Sequence, residues 1–311
     1  MSDKTPILSL CIPTNGVPQW VFPVLDSIYA EADGLGDKFE VIVTDNGDND
    51  EFYNGIQKYV AEHDNLKYYK TGAFEFLNEI EAYKRANGEF IKFINHRTLL
   101  NSGSLKYFIE FAEKNADKKP CVYFLNGAKK QKNTVAENNS FDEYVKNLGV
   151  FSSWSTGMGF WKSDFNKIDL NKQFNVLFPH TDILFSEREK NLYIIDNTVL
   201  LKEIPVGKIP KGRYNLFNAF AVEYVEILLG LLISGDITEK TYYSVKKDNY
   251  RFIKDLYFDY VVRKKPCSYD LTKTEQSINK YYSIKKLKAV MPFMFIKRLF
   301  RKTIYILTRR K

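Results

Sequence analysis

The chain has 311 residues, 44% hydrophobic and 15% aromatic, which suffices for one large or two modest cores and excludes a disordered body. Its formal charge of +8 is unevenly placed, because residues 276–311 hold eleven Lys or Arg and no Asp or Glu, leaving the rest at −3. That distribution argues against a nucleic-acid-binding domain, whose basic residues spread over a folded face. Cys11, Cys121 and Cys267 lie far apart without paired spacing, which argues against a disulfide framework or zinc site and fits a reducing cytoplasm. No basic-then-apolar leader follows Met1, and no segment approaches the roughly 20 uninterrupted apolar residues of a spanning helix.

In chain order, short apolar runs alternate with helical patterns through the first half, as expected of a mostly parallel sheet with covering helices. Strands are predicted at 7–12, 39–44, 66–69, 90–94 and 121–125. Helices are predicted at 20–32, 51–62, 75–86 and 102–115, the last preceded by Asn101-Ser102-Gly103-Ser104 as capping material. Residues 126–147 are polar, include Lys129-Lys130-Gln131-Lys132-Asn133, and read as a mobile excursion. Beyond Pro210 the periodicity turns helical over 216–233, 238–262 and 273–287, so the chain divides into an α/β domain at 1–210 and a helical region at 211–311.

Three polar strand ends carry the chemistry. The run Leu8 to Ile12 ends in Pro13-Thr14-Asn15-Gly16, and Val41-Ile42-Val43 ends in Asp45-Asn46-Gly47. Ligands of open α/β sheets bind at such edges, and a carboxylate there can accept a nucleobase N–H, although a plain turn gives the same pattern. The third end follows a helix with small residues every fourth position, Asn78, Ala82 and Ala86, then Gly88-Glu89, the strand Phe90 to Ile94, and Asn95-His96-Arg97. Small residues at that spacing let a helix lie close to a sheet.

This combination resembles the family 2 glycosyltransferases of the GT-A fold, especially those similar to abequosyltransferases of bacterial surface polysaccharides. The resemblance covers residues 7 to 100 well and 150 to 190 loosely. It implies a GT-A, Rossmann-like sheet, a nucleotide-sugar donor, and a glycan or polyprenyl-linked acceptor. Pro13, Thr14, Asn15, Asp45, Asn46 and Asn78 would then stand on the nucleoside side. In the family an acidic run at the end of the strand that follows Gly-Glu binds a divalent metal that neutralises the donor diphosphate. Here Asn95, His96 and Arg97 occupy that place; Asn is a poor anionic ligand and Arg is none, so bound Mg²⁺ or Mn²⁺ is not expected there. Arg97, assisted by His96, can offer its guanidinium fork to the phosphates instead. The competing reading is a silent subunit that has lost its donor site and acts as a scaffold.

The segment Phe151-Ser152-Ser153-Trp154-Ser155-Thr156-Gly157-Met158-Gly159 resembles the acceptor-side loop of the family. Trp154 is its stacking candidate, and Gly157, Met158 and Gly159 its point of close backbone approach; a core role for the Trp is the alternative. In Phe178-Pro179-His180-Thr181-Asp182 either Asp182 or His180 can be aligned with the family's catalytic base, and Asp182 is preferred. Both can also serve as caps at a helix start.

On a helical wheel of about 100° per residue, Lys297, Arg298, Arg301 and Lys302 share one arc, opposite Phe295, Ile296, Leu299, Phe300, Ile304, Ile306 and Leu307. With Pro292 separating it from what precedes, this basic amphipathic tail at 290–311 would meet an anionic membrane. The expected location is cytoplasmic, peripheral at the inner face of the cell membrane; a helix packed on the body with solvated charges is the alternative.

Overall fold

A computed structural model describes residues 5–205 and 212–308, which belong to two compact units, Met1–Pro205 and Val206–Lys311. The first unit is built on strand β1 (Leu8–Thr14), where apolar side chains on both faces produce a buried central strand. Helix α1 (Pro18–Tyr29) follows, with Pro at its first position, then β2 (Phe39–Asp45). Helix α2 (Asp50–Glu62) begins where the Asn49 side chain accepts from the Phe52 N–H, and Asp50 and Glu51 complement its N-terminal dipole. Strand β3 (Leu66–Lys70), helix α3 (Asn78–Arg85) and strand β4 (Phe90–Phe93) complete the first half of the sheet.

Strand β5 (Thr98–Leu100), helix α4 (Ser104–Asn115), β6 (Cys121–Phe124), β7 (Val135–Asn138), α5 (Phe141–Leu148), β8 (Met158–Trp161), α6 (Lys162–Phe165), α7 (Pro179–Leu184), β9 (Tyr193–Asp196) and β10 (Leu201–Glu203) follow. The main sheet has eight strands in the order β3-β2-β1-β4-β8-β6-β9-β7, and β5 pairs with β10 in a small second sheet. Pairs β1–β2, β1–β4, β2–β3 and β6–β9 are parallel; β8 runs antiparallel to both β4 and β6, as β7 does to β9. Leu10, Ile12, Val41, Val43, Phe90, Val122 and Trp161 join residues from α1, α2 and α4 in the core. The strand order reverses at β1, and the carboxyl ends of β1 and β4 flank the position at which open α/β sheets bind ligands.

The expected excursion at 126–147 is corrected by the fold. Val135–Asn138 forms the outermost strand of the sheet, and Phe141–Leu148 is a helix capped by Ser140 that buries Tyr144, Val145 and Leu148. An edge strand has one solvated face and needs little apolar sequence, so its polar composition resembled a loop.

The second unit contains α8 (Leu216–Asn218), a π-helical turn at Ala219–Glu223, α9 (Tyr224–Ile233), α10 (Glu239–Leu256), a second π turn at Tyr257–Val262, α11 (Thr274–Tyr281) and α12 (Ile284–Thr308). Leu216–Ile233 is apolar enough to cross a membrane by composition, with mean hydropathy 1.9 over 18 residues, yet Tyr224, Val225, Leu228 and Leu231 are buried in the unit and Glu223 and Glu226 interrupt the run. Helix α12 runs through Pro292 without a break, correcting the expected separation there; the Pro removes one backbone donor and the helix continues around it. Phe293 is 71% exposed, Phe295 and Ile296 are also exposed, and Arg298 pairs with Asp259 at 3.0 Å. The other side chains of the expected arcs, from Lys297 and Leu299 onward, lie outside the described residues, as do positions 309–311.

Candidate functional site

The carboxyl ends of β1, β2 and β4 form one polar edge. The Thr14 hydroxyl, at the end of β1, accepts from the Gly16 N–H at 3.1 Å and meets His96 Nδ1 at 2.8 Å. Pro13 is half-buried in register with Thr44, and Asn15 is exposed. A Cβ on Gly47 would lie 2.0 Å from the Asn15 carbonyl oxygen, so the β1 and β2 turns approach as closely as they do only because residue 47 is glycine.

Asp45 is 1% exposed: Oδ1 accepts from the Gly47 N–H at 2.8 Å, Oδ2 accepts from the Tyr68 hydroxyl at 3.0 Å, and Lys70 Nζ lies 3.6 Å away. Asn46 donates to the Ala73 and Glu75 carbonyls, which tethers the segment leading to α3. Asn78, at the start of α3, donates to the Thr14 and Thr44 carbonyls at 3.1 and 2.9 Å and accepts from the Thr71 hydroxyl at 2.8 Å. Its amide bolts the two strand ends together from inside the fold.

After β4 the chain turns sharply. Asn95 Oδ1 accepts from the Arg97 N–H, and the Asn95 carbonyl accepts from the Thr98 N–H and hydroxyl, both at 2.9 Å. The Arg97 carbonyl accepts from Ile204 N–H beyond β10, so the turn is held on both sides. His96 is half-buried, its ring 5.0 Å from that of Trp20 in an edge-on arrangement. Burial and the Arg97 cation push the imidazole down to about 3, so it is neutral at physiological pH.

The Arg97 guanidinium lies 5.9 Å from the Trp20 ring, and among the described residues no carboxylate comes within ion-pair distance of it. A guanidinium on an aromatic face at a strand edge is available to an incoming anion. The donor set here is one amide oxygen already accepting a bond, one neutral imidazole facing a hydroxyl, and a cation. It does not fit Mg²⁺ or Mn²⁺, which require oxygen ligands, usually anionic.

The segment before β8 reaches the same edge, because β8 runs antiparallel to β4 with Gly159 opposite Lys92. Trp154 is 39% exposed and packs edge-on against Phe151 at 4.9 Å. A Cβ on Gly157 would lie 2.0 Å from the Tyr123 ring, and one on Gly159 2.7 Å from Phe90. The space a Cβ would take at both glycines is therefore filled by aromatic rings of neighbouring strands, which accounts for glycine at both positions by packing. Met158 is buried, and its carbonyl accepts from Lys92.

Helix α7 sits against this loop. The Thr181 hydroxyl donates to the Ser152 carbonyl at 2.8 Å, and His180 Nε2 lies 3.1 Å from the Ser153 carbonyl. His180 is 4% exposed, and its Nδ1 is 3.3 Å from Oε2 of the buried Glu79 on α3. Both ring nitrogens thus face the interior. Asp182 is half-buried, with Oδ2 accepting from the Asn175 N–H at 2.7 Å; burial raises its carboxyl above the usual range, against that hydrogen bond and the charges of Lys172 and His180. Of the two base candidates, Asp182 keeps an oxygen with access to solvent.

Sequence reasoning passed over Trp20, Tyr68, Lys70, Glu79, Lys92 and Tyr123. None carries a local signal, because each acquires its role from partners far along the chain.

A mostly parallel sheet that reverses at its first strand, with covering helices and this gathered polar edge, defines the GT-A fold. No family model and no curated protein matches the sequence. Solved structures do resemble it. S. aureus TarS 1-349 aligns over 88% of this chain and 78% of its own at 16% identity and TM-score 0.58. The same protein in complex with UDP aligns over 94% and 87%, again at 16% identity and TM-score 0.58. The mannosyltransferase PcManGT from Pyrobaculum calidifontis, in complex with GDP-Man and Mn²⁺, aligns over 80% and 70% at 16% identity and TM-score 0.53. Against a longer TarS structure the match spans 39% of that chain, at 16% identity and TM-score 0.50. At this identity the likeness speaks for the fold.

Proposed function

We propose that the chain is a glycosyltransferase that moves a sugar from a nucleotide-sugar donor to a lipid-linked or polymer acceptor in bacterial surface-polysaccharide synthesis. The observation that carries this reading is the polar edge at the ends of β1 and β4, where Arg97 stands on Trp20 with no carboxylate partner among the described residues, in a fold shared with transferases solved with UDP and with GDP-Man. The nucleoside lies along Pro13, Thr14, Asn15 and the Asp45 turn, and Arg97 offsets the diphosphate charge.

The reaction is a single displacement. The acceptor oxygen attacks the anomeric carbon, its proton passes to Asp182, and the bond from that carbon to the diphosphate breaks, so the nucleoside diphosphate leaves with the electron pair and the configuration inverts. A carboxyl raised by burial is the stronger base for that step. Trp154 offers the exposed ring on which an acceptor sugar stacks. The site as read needs no divalent ion at the β4 turn.

Exposed Phe293, Phe295 and Ile296 together with exposed Lys285 and Lys286 on α12 support a peripheral seat on an anionic membrane, at the cytoplasmic face where a polyprenyl-linked acceptor resides. Liposome flotation with anionic vesicles checks this, and flotation unchanged after removal of residues 290–311 would sink it.

A thermal-shift screen of UDP-, GDP-, CDP- and dTDP-sugars, with and without Mn²⁺, tests the donor reading. A metal-independent shift by one class, followed by release of its nucleoside diphosphate, is expected. Silence from every donor would favour a scaffold, and complete inhibition by EDTA would overturn the role of Arg97.

A further inference from the structure

The strand ending at the Asn95 turn buries a lysine. Lys92 is fully enclosed, and its Nζ donates to the carbonyls of Phe93 at 2.8 Å, Thr156 at 2.8 Å and Met158 at 3.1 Å. Three carbonyls match the three hydrogens of an ammonium group. The Phe108 ring from α4 and the Phe124 ring from β6 lie 5.5 and 5.4 Å from Nζ; neither titrates, and among the described residues no carboxylate pairs with it. A buried charge without a counter-ion is costly, and an apolar residue would suit a strand core better, so the position demands a reason in what the ammonium holds.

What it holds is the loop that carries Trp154. Its carbonyls face side chains from elsewhere: Phe151 and Trp154 share the single hydrogen of the Tyr123 hydroxyl, Ser152 meets Thr181, Ser153 meets His180, and Thr156 and Met158 meet Lys92. Of these side chains Lys92 alone projects from β4, and its third bond is to the carbonyl of its neighbour Phe93, two residues before Asn95 and four before Arg97.

We propose that Lys92 is a positioning residue that locks the Trp154 loop to the end of β4, so that the surface receiving the acceptor is held in fixed register with the turn that receives the donor diphosphate. This rests on the glycosyl-transfer reading for its purpose, while the lock itself is a property of the chain.

The test is Lys92→Met in the full chain, with segment-resolved hydrogen exchange and calorimetric titration of UDP and GDP. Methionine keeps the volume and removes every donor. The expected result is exchange at least tenfold faster across 153–158, unchanged protection at 8–14, and affinity for the nucleotide that binds wild type kept within about threefold. Uniform loss of protection would reduce Lys92 to an ordinary core residue, and an unchanged loop would show that Tyr123, Thr181 and His180 hold it alone; either overturns the proposal.

If the variant does not fold, wild type supplies the second measurement. Burial holds the Lys92 ammonium down to about 7, and its neutral form lacks one of the three donated hydrogens. Exchange across 153–158, corrected for its intrinsic pH dependence, then rises between pH 6 and 9 more than in 8–14; a parallel profile in the two segments overturns the lock. A loosened loop in a protein that binds neither nucleotide leaves the lock standing and removes the transferase reading.

Discussion

Replacing Asn78 with alanine separates a clamp from a ligand contact. The side chain is 2% exposed, donates to the Thr14 and Thr44 carbonyls at 3.1 and 2.9 Å, and accepts from Thr71 at 2.8 Å. Each such bond contributes about 1 kcal/mol net, and a buried partner left without one costs more. The Thr14 carbonyl keeps a second donor in the Asn46 N–H, which limits the loss there. The sum is about 3 kcal/mol, equivalent to a fall of roughly 6 to 12 °C in the melting temperature of a unit this size. Urea unfolding of wild type and Asn78→Ala, followed by tryptophan emission, measures it, and the slope should not change. Asn78→Asp should cost more, because it sets a carboxylate against two carbonyls. A variant with wild-type stability that no longer binds nucleotide would refute the clamp and make Asn78 a ligand contact.

Arg97→Ala should weaken nucleotide diphosphate binding by about ten- to a hundredfold and flatten its salt dependence, with Arg97→Lys intermediate because it keeps charge and loses the fork; calorimetry at two salt concentrations checks both. Asp182→Asn should reduce turnover by about 10² to 10⁴ while leaving donor affinity intact, and the rate of wild type should climb as pH rises through the raised pKa of that carboxyl. Turnover surviving in Asp182→Asn but lost in His180→Ala would reverse the assignment of the base. Glu187 is buried, and burial raises it to about 8 against Lys190, so its contribution to stability is present below the ordinary carboxylate range and is lost as pH rises toward 8. Glu187→Gln should flatten that decline, of at most about 1.4 kcal/mol per pH unit, in urea midpoints taken from pH 5 to 8; an unaltered slope would place the titration elsewhere.

How much was legible follows from where each signal resides. The strands at Leu8, Phe39 and Phe90 are buried on both faces, so apolar runs announce them. Val135–Asn138 needed only one dry face, and its four residues carry too little hydrophobicity to stand out from turn sequence. At the site, polar residues that end apolar runs were visible as an edge, which located Thr14, Asp45 and Arg97. The direction in which a polar side chain turns was not visible. Asn78 and His180 occupy positions where a ligand role and an interior role demand the same residue type, and only the carbonyls of Thr14, Thr44 and Ser153, brought from other elements, decide between them.

Charge accounting at the β4 turn carries the argument further. An acidic run there would need a metal to face a diphosphate, whereas the role proposed for Arg97 is to face it directly, and that role requires that no carboxylate neutralise the guanidinium in advance. The turn meets that requirement with neutral groups: Asn95 spends its oxygen on the Arg97 N–H, and His96 is held uncharged against Thr14. On the proposed reading, a carboxylate placed at either position should therefore weaken nucleotide binding by pairing with Arg97. Asn95→Asp tests this: nucleotide affinity without metal should fall at least tenfold, and Mn²⁺ should recover part of it. If Asn95→Asp binds nucleotide as wild type does in EDTA, Arg97 is not the partner of the phosphates.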